Sequence, residues 1–88
     1  MEAAHRKKLK AQAHGLKPVI IVGQAGLTDA VLAETEIALN THELIKVKIR
    51  AERDQRNHIS EKIYASTGAT LIQSIGQITV IYRLNPKQ

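Results

Sequence analysis

Residues 44–51 read Leu-Ile-Lys-Val-Lys-Ile-Arg-Ala, and their alternation constrains the fold more than any other segment. A period of two fits an extended strand: Ile45, Val47 and Ile49 point to one face, and Lys46, Lys48 and Arg50 to the other. The first face has to be buried under an apolar layer. The second has to stay wet or meet an anion. A sheet with a covered face and a cationic strip is therefore the frame the other segments must fit.

Those segments supply the layers. Ala3 to His14 has no Pro, Gly or β-branched residue and is followed by Gly15, which predicts a helix. Leu9, Ala13 and Leu16 give it a narrow apolar stripe. Pro18 to Val22 is apolar at every position, the pattern of a central strand buried on both faces. Beyond the loop Gly23-Gln24-Ala25-Gly26, Thr28 is the expected N-cap of a second helix, with Asp29 well placed in its first turn. That helix runs to about Thr41; Val31, Leu32, Thr35, Ala38 and Leu39 face inward and Ile37 points away. Asp54 is the expected cap of a third helix, which buries Ile59 and Ile63 and stops at Gly68. Thr70–Ile75 and Gln77–Leu84 read as strands joined at Gly76, and Pro86 ends regular structure.

The order α-β-α-β-α-β-β predicts an α/β fold with helices packed on a four-stranded mixed sheet. Its first two strands should be parallel, joined by a right-handed crossover, and its last two antiparallel. At 88 residues, one domain over 1–88 is expected.

The net charge of +5 is unevenly laid out. Residues 1–18 carry a net +4, residues 27–45 a net −4, and residues 46–56 a net +3. One side of the molecule should therefore suit an anion. On the first helix Arg6, Lys7, Lys10 and His14 recur at spacings of three and four. Such repulsion costs an isolated helix about 0.2–0.5 kcal/mol per pair. The run is either a solvated face or one offset by an anionic partner.

Other classes are poorly supported. A hydrophobic share of 43% sets the chain apart from disordered segments. Without cysteine there is no disulfide or thiolate metal site. The charged N-terminus lacks a signal peptide's apolar run, and no stretch approaches the ~20 apolar residues of a membrane span, so a cytoplasmic location away from membranes is expected. His5, His14, His42 and His58 have no ligand spacing, and His42 fits a structural residue or a helix C-cap. Ser60, Ser66 and Ser74 form no nucleophile–base arrangement with the histidines and carboxylates. The chain reads as a non-enzyme with no metal, no other cofactor and no small-molecule substrate.

The loop Gly23–Gly26 joins a strand to a helix N-terminus, where free amides and the helix dipole favour an anion. Its glycines let backbone approach a sugar-phosphate chain closely, as GxxG loops do in KH domains. On local sequence alone it reads equally as a plain turn. It is no P-loop, because no Gly-Lys-Ser/Thr follows. Lys17 precedes the strand, and Lys46, Lys48 and Arg50 lie on the next one. If the two strands are neighbours, these cations converge. With Tyr64 and Tyr82 as the only aromatic residues, and both suited to core or edge roles, an aromatic stacking sheet is disfavoured.

Taken in order along the chain, several motifs resemble the YhbY family, the stand-alone bacterial form of the CRM (chloroplast RNA splicing and ribosome maturation) domain. They are His14-Gly15-Leu16-Lys17-Pro18-Val19, Gly23-Gln24-Ala25-Gly26-Leu27-Thr28, His42-Glu43-Leu44-Ile45-Lys46-Val47-Lys48, Ile75-Gly76-Gln77 and Val80-Ile81-Tyr82-Arg83. The resemblance implies a fold similar to the C-terminal domain of translation initiation factor three. It also implies binding to ribosomal RNA in precursors of the large (50S) subunit and a part in ribosome assembly. Carried over by position, the RNA-binding residues are Gly23, Gln24, Ala25 and Gly26, supported by Lys17, Lys46 and Lys48, with Arg50 beside them. Arg6, Lys7, Lys8 and Lys10 join on charge. Many relatives carry a basic residue within the loop, whereas Gln24 and Ala25 are neutral, which shifts the burden to amides and surrounding lysines. Nothing demands more than a monomer. The competing reading is a protein-interaction module whose basic face docks an acidic partner.

Overall fold

A computed structural model of the chain describes residues 1–85. The expected end of regular structure at Pro86 lies outside them. The elements are α1 (Ala3–Ala13), β1 (Pro18–Val22), α2 (Asp29–His42), β2 (Leu44–Ile49), α3 (Arg53–Thr67), β3 (Thr70–Ile75) and β4 (Ile78–Tyr82). The strands form one mixed sheet in the order β1-β2-β4-β3. β1 runs parallel to β2, while β4 is antiparallel to both β2 and β3.

The alternation of β2 organises both faces. Ile45, Val47 and Ile49 are fully buried with Ile20 and Val22 of β1 and Ile81 of β4, under Leu39 of α2 and Ile59 and Ile63 of α3. Full burial of such side chains stabilises by about 1.5–3 kcal/mol each. Helix α1 lies on the opposite face, where Leu9 and Ala13 pack against Leu44, Ile72 and Val80. Tyr82 joins this second cluster and meets His5 edge-on at 5.6 Å; Tyr64 packs against the first.

Local chemistry sets the boundaries. The Thr28 hydroxyl accepts from the Val31 amide at 3.2 Å and caps α2. Gly68 ends α3 in the left-handed region, and Gly76, at φ +55°, opens the two-residue turn between β3 and β4. Glu43 is the C-cap of α2, and its φ of +62° is the only positive value at a non-glycine among the described residues. Its carbonyl accepts from the Arg83 amide at 2.9 Å and its carboxylate from the Asn85 amide at 2.7 Å. Among the described residues, no buried side-chain polar atom lacks a partner.

Four expectations need correction. β1 is an edge strand rather than a central one, with Val19 50% and Ile21 53% exposed. β4 inserts between β2 and β3, so β2 has only one side left for β1, and no helix covers the outer face of β1. Pro18 at the strand's start suits an edge. Glu52, not Asp54, is the N-cap of α3; Asp54 sits inside the first turn, where it still favours the helix dipole. Of the two roles expected for His42 only the C-cap falls away: His42 is the last residue of α2 and Glu43 takes the cap. Leu16 departs from its stripe and is 37% exposed. Ile37 points away from the core as expected, and nothing covers it.

Candidate nucleic-acid interface

The face that carries α1 is only partly covered. Register places Ile21 of β1 beside Lys48 of β2, Lys48 beside Ile78 of β4, and Ile78 beside Ile75 of β3. Partnered residues of neighbouring strands share a face, so these four form one row across the sheet. Ile78 and Val80 belong to the cluster beneath α1, which fixes the row on that helix's side. Gln73, Val80 and Lys46 of the next row, with Ile75 and Ile78 of this one, line a small cavity with Ala13 and His14 at the end of α1. The end of α1 thus reaches the middle of the Ile21–Ile75 row, where Lys48 and Ile78 are half-buried, and leaves its two ends, Ile21 and Ile75, open.

Loop 23–26 lies where β1 ends. The Gly26 amide donates to the Gly23 carbonyl at 3.0 Å and closes a tight turn, and Gly26 adopts φ +76°. Gly23, Gln24 and Ala25 are exposed and Gly26 is half-buried. Arg50 comes to the same end of the sheet, its amide donating to the Val22 carbonyl at 3.0 Å. The Gly76-Gln77 turn joins them, because the Ile49 amide donates to the Gln77 carbonyl at 2.8 Å.

The expected cations are distributed as follows. Lys46 and Lys48 are half-buried on the open face, and Lys48 stands in the row that adjoins the loop. Lys7, Lys8 and Lys10 ride on α1 over the same side of the sheet. Lys17 is at the other end of β1, about 17 Å from the loop for five extended residues. There it lines a groove of about 400 Å³ with Gln12, Leu16, Val19, His42 and Leu44. Arg6 turns inward instead: its guanidinium donates to the Leu71 and Ile72 carbonyls of β3. The strand has a register shift there, and Arg6 satisfies backbone that the irregular ladder leaves over.

Acidic charge is segregated by face, while the side behind the sheet also carries Arg53, Arg56 and Lys62 on α3. Among the described residues the four strands carry no carboxylate, and α1 has only Glu2, at its N-cap. The other acids lie on α2, on α3 or at their caps, behind the sheet. The sequence reading missed the exposed isoleucines Ile21 and Ile75. The excess of apolar residues in β1 signalled them, but only strand order shows that they face outward. No group of three or more His, Asp or Glu side chains that could hold a metal is present among the described residues, and none of their helices is long and apolar enough to cross a membrane.

Residues 1–83 match the CRS1/YhbY (CRM) domain. A probable RNA-binding protein of Pseudomonas aeruginosa is 52% identical over 83 residues, covering 93% of this chain and 80% of that protein. An RNA-binding protein of Haemophilus influenzae is 46% identical over 84 residues, covering 94% and 85%. The solution structure of a hypothetical protein from Staphylococcus aureus, a candidate RNA-binding protein, superposes with a TM-score of 0.82 at 27% identity. That match covers 96% of this chain and 88% of the other.

Proposed function

The chain belongs to the CRS1/YhbY (CRM) domain family, and we propose that it binds RNA as a single domain through the α1 side of its sheet. The RNA is ribosomal, in precursors of the large subunit, and the protein assists their assembly in the cytoplasm as a monomer without a cofactor. It is a binding protein and not an enzyme. One observation carries the RNA reading: every Asp and Glu but Glu2 stands behind the sheet, while Lys46, Lys48 and Lys7, Lys8 and Lys10 of α1 share the face that ends at the 23–26 loop. Such a face binds phosphate by counterion release, which needs no base recognition. The large-subunit assignment comes from the family resemblance.

Sedimentation of cell extract on sucrose gradients at low and high salt tests the assignment. Salt-sensitive co-migration with large-subunit precursors is the expected result. If the protein stays at the top at low salt, the ribosomal role falls. The competing reading, an acidic protein docked on the same face, predicts association that survives nuclease treatment.

The loop's part is tested separately. A Cβ at Gly23 meets nothing within 4 Å and the residue's φ is not positive, so Gly23→Leu is expected to keep the melting temperature while weakening RNA binding severalfold. Gly26→Ala is expected to cost about 1 kcal/mol of stability, because a side chain is strained at φ +76°. A folded Gly23→Leu variant with undiminished RNA affinity would remove the loop from the interface.

A further inference from the structure

We infer that the row Ile21–Lys48–Ile78–Ile75, open at its two ends and half-buried between them, is a platform for the bases of unpaired RNA, held while the 23–26 loop and its neighbouring cations engage the adjoining backbone. The inference rests on the RNA reading above and adds to it which form of RNA the face accepts.

Exposure is the first ground. Ile21 is 53% and Ile75 61% exposed, on the two edge strands of one sheet, and they face the same way. An exposed apolar edge strand is an aggregation hazard that proteins usually blunt. Here the row is kept apolar at three of four positions, and the fourth, Lys48, adds an aliphatic stem with a charged tip. With strands spaced by about 4.8 Å the row is about 14 Å across, room for roughly two bases laid side by side.

Charge complementarity selects the occupant. No strand of this face carries a carboxylate, and Lys46, Lys48 and Arg50 lie within or next to the row. The ligand must therefore join flat apolar surface to regularly spaced negative charge. Unpaired RNA does this, with base faces on one side of its chain and phosphates on the other. A duplex keeps its base faces stacked inside and offers only backbone and groove, so it gains from the cations but not from the isoleucines. Aliphatic contact and lysine charge distinguish no base from another, and the platform is indifferent to sequence.

The test compares the wild type with Ile21→Thr/Ile75→Thr, which keeps β-branching and charge at two positions already more than half exposed. The probes are a short labelled oligouridylate and a labelled RNA duplex of equal length, titrated across a salt series. For the variant, oligouridylate affinity should fall roughly tenfold, with duplex affinity and the salt slope of both probes unchanged. Circular dichroism checks the fold; if the double variant is unstable, Ile75→Thr alone carries the comparison with an expected loss of roughly threefold. If the wild type binds neither probe, the RNA reading itself falls and takes the platform with it. If the wild type binds both and the variant binds them equally well, only the platform is overturned. Equal losses on both probes overturn it too, since a duplex has no open base faces to lose. A wild-type dimer that the variant dissociates, with RNA affinity kept, makes a second copy the occupant and likewise ends the proposal.

Discussion

Arg83→Met is expected to lower the unfolding free energy by about 3 kcal/mol and the melting temperature by roughly 15 °C for a chain of this size. Arg83 follows β4 and reaches across to both helices behind the sheet. One guanidinium nitrogen donates to the Glu36 carboxylate at 2.7 Å and the Thr67 carbonyl at 2.8 Å; the other donates to the Asn40 side-chain oxygen at 2.9 Å. The ion pair alone explains little, because Glu36 is 43% exposed and such pairs are worth about 0–1 kcal/mol. The larger part lies in the neutral acceptors. Thr67 ends α3, and its carbonyl has no partner within the helix. Hydrogen bonds from a charged donor contribute about 1.5–3 kcal/mol, and methionine leaves these acceptors without it. Glu36→Gln, which removes the ion pair and spares the other bonds, should then cost less than about 1 kcal/mol. Chemical denaturation of both variants checks the pair of values. A loss for Arg83→Met no larger than that for Glu36→Gln would reduce the residue to an ordinary surface cation.

Arg83 also marks where sequence stops informing. Its partners lie 47, 43 and 16 residues away, and no local pattern encodes separations of that kind. Arg6 shows the same limit. On the helix it repeats with Lys7 and Lys10 as one more cation, yet it is spent on β3 carbonyls 65 and 66 residues distant. Local signals fared better. The alternation of β2, the Thr28 cap, Gly68 at the end of α3 and Gly76 in the last turn each depend on a few consecutive residues, and each is where local chemistry puts it.

β1 was misread for a physical reason. A run of apolar residues signals burial on both faces only if both faces are covered by the protein itself. Strand order decides that, and order is a non-local property: β4 pairs with β2 and leaves β1 at the edge. The same run Pro18–Val22 therefore buries Ile20 and Val22 beneath α2 and α3 while Val19 and Ile21 stay open. The expected convergence of the cations was legible only in part. Parallel pairing of β1 with β2 sets Lys48 near the loop, but it also separates Lys17 from that loop by the length of the strand.

Lys46→Glu/Lys48→Glu is expected to weaken RNA binding by about two orders of magnitude at moderate salt while leaving the fold intact. Both lysines alternate with fully buried neighbours on β2, so their side chains are held on the open face whatever the ligand. Losing two phosphate contacts should flatten the dependence of log K on log salt by about 1.4 for an unpaired strand and about 1.8 for a duplex. Reversal goes further than removal because each glutamate repels the phosphate that its lysine attracted. Arg83→Met serves as the control: it removes a positive charge behind the sheet, so it should reduce stability and leave the slope alone. Paired binding isotherms across a salt series separate the two effects. If the lysine reversal leaves the slope unchanged in a folded variant, the phosphates do not lie along β2. The contacts would then come from Lys7, Lys8 and Lys10 on α1 or from Arg50 beside the loop, which moves the RNA off β2.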